Sequence, residues 1–425
     1  MKIVLIALYD VHSFAIRILN SVLKKRGFDT QAIFFKNQYS NEEPTDDELS
    51  ILCKIITYLH PDIIGFSLRS NFFPTYKKVY NKLRKLTGAH IIIGGHHATV
   101  CPEDCIKYAD SVCIGEGEIP IVEFCNRYEL DKNVTDNIPN ILTKKNYHYT
   151  ESWAANNLIQ NLDNIPFDNY NDDDIYIFSN PKFNTETKMP VLTTRGCFFD
   201  CSFCYNNTYK KQCKGLGKYV RRRSVDNVIE EIEYLKYNFY FLNEIVFADN
   251  IFTFDDKWID EFCKKFIKTE LKFRCFSYFS MLKKDMLIKM KDAGCHMITV
   301  GFQSGSARIR NKIFNRKETD EQIIEGSRII KEVGITARYD RIVNIPYEID
   351  GDKLLNNNLV DQLHRPFVLR EFYLMNHPKT PLTEKMLKEG LITEDQVEGN
   401  CGSAYKHNGK FTMYEVDGSK MDLSI

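Results

Sequence analysis

The chain has no apolar run approaching the roughly 20 residues of a membrane-spanning helix. Its opening residues, MKIVLIALYDVHSF, pass from a short apolar stretch straight into polar ones, without the apolar length or small-residue cleavage site of a secretory leader. An excess of charge is missing too, since lysine plus arginine and aspartate plus glutamate each total 57. Overall charge therefore gives no attraction toward nucleic acid or an anionic membrane, and neither is expected as a partner. There is no second Cys-x-x-Cys pair, although the chain has 13 cysteines. A cytoplasmic location is expected, with the one cysteine cluster acting as thiolate ligands in a reducing compartment rather than as disulfides.

What is present is an alternation of strand-like and helix-like segments over 425 residues, enough for two domains and a tail. Apolar runs at 2–8, 30–35, 62–67, 90–95 and 110–118 are each bounded by helical periodicity, the pattern of buried parallel strands in a doubly wound α/β sheet. Ligands of such sheets lie outside the carboxyl ends of the strands, where Ser67, Leu68, Gly94, Gly95, His96, Gly115, Glu116, Gly117 and Glu118 fall. The glycines read equally well as tight strand-to-helix turns. This domain is expected over 1–135.

From 136 to 185 the periodicity fades into Asn, Asp and Pro, a linker composition whose aromatics should pack on a surface. Strands then recur at 191–194, 244–248, 273–277, 297–302, 335–343 and 367–375. Ser224 is placed to cap the helix that follows it, and Thr319 with Gln322 forms a capping box for a helix that Gly334 stops. Serial βα units over 186–380 imply a partial (β/α)6 barrel of TIM type. A C-terminal segment, 381–425, starts with a helix and is read as a cover for the barrel mouth.

The segment TTRGCFFDCSFCYNN puts Cys197, Cys201 and Cys204 in a CxxxCxxC loop directly after a strand. Three thiolates can each take a different iron of one cubane, leaving the fourth iron open to another ligand. A structural zinc, or a cluster completed by Cys213, is the competing reading.

Followed by the aromatic Tyr205, this motif resembles the signature of the radical S-adenosylmethionine (SAM) superfamily. Further segments fit in the same order: RRRS, IVFADNIF, VGFQSGSARI, KEVGI, VNIPYE and HPKTPL. PDIIGFS, IIIGGHHATVCPE and CIGEGE resemble the cobalamin-binding branch. The resemblance implies a 4Fe-4S cluster, SAM and cobalamin as cofactors. It also implies reductive cleavage of SAM to a 5′-deoxyadenosyl radical, with electrons from a flavodoxin- or ferredoxin-type donor. By the same resemblance, Asp249 and Asn250 lie near the methionine part of SAM, with Tyr205 also a SAM contact. Gln303, Ser304 and Gly305 lie near its ribose, and Ile345 and Pro346 near its adenine. Relatives often carry Glu at 303 and Gly-x-Pro-Gly-Glu where this chain has Asn344-Ile345-Pro346-Tyr347-Glu348. Arg338 is the expected contact of the SAM carboxylate, with Arg341 the alternative and a surface role open to either.

Asp10-Val11-His12-Ser13-Phe14-Ala15 partly matches the Asp-x-His-x-x-Gly of cobalamin domains whose histidine ligates cobalt, with Ala15 in place of the glycine. The implied activity is methylation of an unreactive carbon of a small-molecule or peptide substrate. Radical cyclisation or rearrangement, or a sensor without turnover, stand as alternatives.

Overall fold

The protein is described from a computed structural model, over residues 1–37, 43–132, 136–146, 157–179, 187–397, 410–417 and 419–423. These residues fall into two compact units, one drawn from 1–181, 208–218 and 376–406, the other from 182–207, 219–375 and 407–425.

The first unit is built on a sheet of β1 (Lys2–Leu8), β2 (Asp29–Phe35), β3 (Ile63–Ser67), β4 (His90–Gly94), β5 (Ser111–Cys113), β6 (Ile141–Thr143) and β7 (Ile175–Ile177), in the order β6-β5-β4-β3-β1-β2-β7. All neighbours run parallel except β5 and β6. The apolar runs are continuous because both faces are covered: Val4, Ile6 and Ile33 pack into one buried cluster, Ile3, Leu5 and Phe34 into the other. The chain leaves β1 toward β2 on one side and reaches β3 on the other, so a crevice opens at the carboxyl ends of β1 and β3.

The stretch expected to be a linker supplies β6 and β7, one strand at each edge of this sheet. Three-residue strands are too short to show a period of two, which is why their Asn- and Asp-rich surroundings read as linker. Residues 147–156 and 180–185 of that stretch lie outside the described residues. What fastens it is Arg17, 1% exposed, on the helix Phe14–Lys25. Its guanidinium lies 3.7 Å from the Tyr170 ring centroid and 4.1 Å from that of Phe34. It pairs with Asp174 at 2.9 Å and donates to the Tyr176 hydroxyl at 3.0 Å and to the Val11 carbonyl.

The second unit carries β8 (Lys188–Val191), a small ladder of β9 (Thr194–Arg195) with β10 (Arg221–Arg222), and then β11 (Glu244–Phe247), β12 (Lys272–Ser277), β13 (Cys295–Gln303), β14 (Thr336–Val343) and β15 (Phe367–Tyr373). Strands β8 and β11 to β15 form six consecutive parallel neighbours, the expected partial barrel. Ser224 caps the helix Val225–Asn238, Thr319 and Gln322 form their capping box on Asp320–Val333, and Gly334 ends that helix at φ 77°.

The C-terminal segment does not act as one cover. The helix Pro381–Lys388 groups with the first unit, whereas β16 (Lys410–Tyr414) and β17 (Lys420–Leu423) extend the second sheet from β15 as an antiparallel hairpin. Residues 400–409 lie outside the described residues. Tyr414 stacks on Phe367 at 4.7 Å, which anchors the hairpin to the core.

Replacing Arg17 by Ala leaves the Asp174 carboxylate buried without its cation, a loss of about 3–5 kcal/mol. The expected outcome is a clearly lower melting temperature, with part of it regained in Arg17→Met/Asp174→Leu. A melting temperature unchanged by Arg17→Ala refutes the anchoring role.

Candidate active site

The cysteine loop follows β9 and begins with Gly196 at φ 92°, where a Cβ would stand 2.4 Å from the Tyr219 carbonyl oxygen. Only glycine fits that close approach. The loop is irregular, and its polar groups are satisfied by the connection after β13. Ser202 N–H donates to the Phe314 carbonyl at 3.0 Å, and Asn315 Nδ2 donates to the Asp200 carbonyl at 2.9 Å. The Ser202 hydroxyl also donates to the Ile313 carbonyl, and Phe203 meets Phe314 edge-on at 4.8 Å. Phe199 stacks on Tyr278 with centroids 3.7 Å apart, while Phe198 stays open on one side. Phe199 and Phe203, which flank the cysteines in sequence, are therefore packed on their neighbours.

Cys201 is buried, and Cys197 and Cys204 are partly so. Burial raises the Cys201 and Cys204 thiols, and the nearby Arg316 works against that rise at both. Among the described residues no three His, Cys, Asp or Glu side chains converge as a single-ion site requires. A cubane takes one sulfur at each of three corners, so its ligands stand apart. Asn206 Nδ2 reaches Cys204 Sγ at 3.7 Å and the Asn250 side-chain oxygen at 3.1 Å, and its own oxygen accepts from the Tyr219 hydroxyl. Asn206 was not read from the sequence; an amide two residues after a cysteine ligand is the signal that could have found it.

The expected SAM residues separate into two groups. Asp249 is buried and accepts from the Thr193 N–H at 3.0 Å and hydroxyl at 3.1 Å, so its carboxylate holds the turn that leads into the cysteine loop. Asn250 is exposed and donates to the Gly196 carbonyl. The Ser304 hydroxyl and Gly305 N–H both donate to Asn356 Oδ1 on the helix Asp350–Gln362. A Cβ at 305 would stand 2.5 Å from the Leu355 carbonyl. Both residues thus serve helix packing. Ile345 is buried; Pro346 is exposed, and Glu348 accepts from Asn356. Tyr205 opens the helix Tyr205–Gln212, half-buried.

Gln303 differs. It ends β13 at a register shift after Gly301, with φ 64°, and its Oε1 is buried with no hydrogen-bond partner among the described residues. Its amide lies across Gly301, where a Cβ would stand 1.9 Å from Nε2. A strained bulge that holds an unsatisfied acceptor at the carboxyl end of a strand makes Gln303 a candidate ligand contact.

Arg338 stands among charged neighbours. It lies three residues into β14, opposite Thr299, and the charges around it are Arg370, Asp340, Arg274 and Glu244. Of these only Glu244 opens its strand, and the Arg338 guanidinium also lies 5.8 Å from the ring centroid of Phe276, near the carboxyl end of β12. Arg341 is paired with Glu371. The cation that does sit beyond β11 is Arg222, 3.6 Å from the Trp258 ring centroid, with Nε and Nη1 buried and unpartnered among the described residues. Burial lowers it to about 10, offset in part by Asp249.

In the first unit, the named residues all gather at the carboxyl edge. Gly95, at φ 93°, lets the loops after β3 and β4 touch: a Cβ there would be 2.7 Å from the Leu68 N and 2.9 Å from the Ser67 hydroxyl. Gly94 accepts from Leu68 N–H, and Gly115, at φ 73°, donates to Thr99. Gly117 packs on Leu19, and Glu116 accepts from the Ile159 N–H at 2.9 Å. Glu118 begins the helix Glu118–Leu130. Asp10 accepts from His12 N–H and pairs with Arg69 at 2.8 Å. These glycines are explained by loop packing. His12, 2.9 Å from the Tyr170 hydroxyl, is lowered to about 4 by burial and Arg17. His96 keeps solvent access, yet surrounding protein, Arg69 and His377 lower it to about 4 as well. Both imidazoles are neutral at pH 7, the state a metal ligand requires.

Among the described residues no helix is long and apolar enough to cross a membrane. A family model described as the radical SAM superfamily matches residues 191–355, and a B12 binding domain model matches residues 2–124. An uncharacterized methyltransferase of Pyrococcus horikoshii is 28% identical over 312 residues, 71% of this chain and 64% of the relative's length. Bacteriochlorophyllide d C-8(2)-methyltransferase of Chlorobaculum tepidum is 22% identical over 351 residues, covering 79% of this chain and 71% of the relative. The radical S-adenosylmethionine methyltransferase TsrM of Kitasatospora setae, solved with cobalamin and a 4Fe-4S cluster, superposes with a TM-score of 0.71 at 16% identity, over 91% of this chain and 78% of that one. The chain therefore carries a B12-binding domain over residues 2–124 and a radical SAM domain over residues 191–355. Its cofactors are a 4Fe-4S cluster, SAM and cobalamin.

Burial lifts the Asp249 carboxyl from its ordinary 3.8 to about 6, against the pull of Arg222 and the threonine hydrogen bonds. With its folded value above its unfolded one, its contribution to stability is present at the acid end and is lost as pH rises through 6. Asp249→Asn removes that loss. The variant should gain on the wild type between pH 4 and 7, by up to about 3 kcal/mol in urea unfolding. A difference that does not change with pH contradicts the protonated carboxyl.

Proposed function

We propose that this chain is a cobalamin-dependent radical SAM methyltransferase acting on an unreactive carbon of a small-molecule substrate. The carrying observation is a three-thiolate loop in the same unit as Gln303, whose buried Oε1 has no partner among the described residues. When bound, the cofactors supply one electron for cleavage of a carbon–sulfur bond of SAM and a methyl group on cobalt. The residues do the rest. Gln303 accepts a hydrogen bond from a ribose hydroxyl of SAM, and the bulge at Gly301 aims its carboxamide. Asn206 and Asn250 tie the far end of the cysteine loop back to Gly196 at its start. Phe199 and Phe203 keep water from the sulfurs, as a radical site and a low-potential cluster both require. His12, held by Tyr170, is our candidate for the residue that would ligate the cobalt of bound cobalamin. The names of the methyltransferase relatives favour methyl transfer. We take the electron donor to be of flavodoxin or ferredoxin type and the location to be cytoplasmic.

The test is anaerobic incubation of cluster-reconstituted, cobalamin-loaded protein with methyl-deuterated SAM, a reductant and candidate substrates. Formation of 5′-deoxyadenosine, S-adenosylhomocysteine and a deuteromethylated product is expected. Deoxyadenosine without label transfer favours ring formation or rearrangement, and neither product sinks the catalytic reading.

Gln303→Ala should weaken SAM binding about fivefold in equilibrium dialysis, the value of one neutral hydrogen bond. Gly301→Ala, which displaces the same carboxamide, should do likewise without loss of cluster iron. Unchanged affinity in both variants removes Gln303 from the SAM site.

A further inference from the structure

Arg316 lies in the connection between β13 and the helix Asp320–Val333 and is 5% exposed. Nothing in the cofactor assignment uses it. Its Nη1 points at Cys201 Sγ at 3.9 Å, and its Nη2 donates to the Gly301 carbonyl and to Glu318 Oε1, each at 2.6 Å. Its Nε is buried without a partner among the described residues. Glu318 is 2% exposed, and its other oxygen accepts from the Tyr278 hydroxyl at 2.7 Å. The guanidinium lies over the Tyr278 ring at 4.1 Å, and the opposite face of this system is the Phe199 stack.

A buried arginine–glutamate pair is a poor way to gain stability, because desolvating two charges offsets most of their attraction. This one is also incomplete, with one N–H unsatisfied and another spent on a sulfur. The two cysteines whose sulfurs accept described hydrogen bonds are treated differently. Cys204 receives a neutral amide N–H from Asn206, whereas Cys201 receives a full positive charge. Hydrogen bonds and charge at cluster sulfurs set the reduction potential, since a cation stabilises the more negative, reduced state.

We propose that Arg316 and Glu318 form a charge pair that sets the reduction potential of the cluster through Cys201, with Arg316 raising it and Glu318 moderating it. Arg316 is thus a positioning residue that acts on the sulfur and touches no substrate. The Gly301 carbonyl ties the same guanidinium to the bulge that carries Gln303, so the sulfur contact and the bulge share one anchor. This rests on the assignment of Cys201 as a cluster ligand, which the wild-type protein tests separately by its iron and sulfide content and its spectrum on reduction.

The experiment is a redox titration of the reconstituted full-length protein, followed by electron paramagnetic resonance, for wild type, Arg316→Gln, Arg316→Lys and Glu318→Gln. At a fixed solution potential near the wild-type midpoint, the reduced fraction should fall several-fold in Arg316→Gln and rise in Glu318→Gln. Arg316→Lys should stay near the wild type. Shifts of opposite sign distinguish a charge effect from loosening of the loop, which would move both variants the same way. Where Arg316→Gln takes up no cluster, Glu318→Gln and Arg316→Lys carry the test. An unmoved or lowered reduced fraction in Glu318→Gln overturns the proposal. A wild-type protein that binds no cluster overturns the cysteine assignment itself.

Discussion

Three cysteines within eight residues cannot be held by a sheet ladder, because their loop has to turn three side chains to one side. Its backbone groups must find partners elsewhere, and here several find them in Phe314, Asn315, Asn207 and Asn250. Ser202 is tied to Phe314 and Ile313, and Asp200 accepts from Asn315 and Asn207. The end of β13 therefore fixes the loop, presents Gln303 from a bulge and delivers Arg316 to Cys201. Regular structure supplies the platform, and one irregular connection supplies the geometry.

Buried charge is used in two ways in this chain. Arg17 has its donors taken by Asp174, Tyr176 and carbonyl oxygens, with a ring close on each side, so its cost is offset by packing and by hydrogen bonds. It joins the 157–179 stretch to the sheet. Arg316 and Arg222 each keep a buried nitrogen without a partner among the described residues. That difference separates a charge that fastens structure from charges placed near a site that has to receive an electron and a charged cofactor.

Much of the fold was legible in the sequence because buried parallel strands write themselves as unbroken apolar runs, and because Ser224, Thr319 and Gly334 mark helix ends through local hydrogen bonds. The edge strands β6 and β7 were not, since three residues carry no period, and neither was the hairpin β16–β17, whose partner is β15 far back in the chain. At the site, the cysteine spacing was legible because it is local. The neighbours of Arg338 were not: which residues stand opposite it depends on register, and spacing along one strand cannot supply that.

A motif residue can matter for either of two reasons, and the hydrogen bonds tell them apart. Asp249, Ser304 and Gly305 spend their polar groups on Thr193 and Asn356, and Gly95 is a glycine because Leu68 passes within van der Waals reach of it. Substituting them would damage a cofactor site by moving its walls. Gln303 spends its acceptor on nothing described within the protein, and it does so in a left-handed conformation that is costly for a side chain of its kind. Strain and an unsatisfied acceptor at one residue are two costs that folding alone does not require. A donor to Oε1 would offset the second cost, and Gln303 is the residue of its motif that packing leaves unexplained.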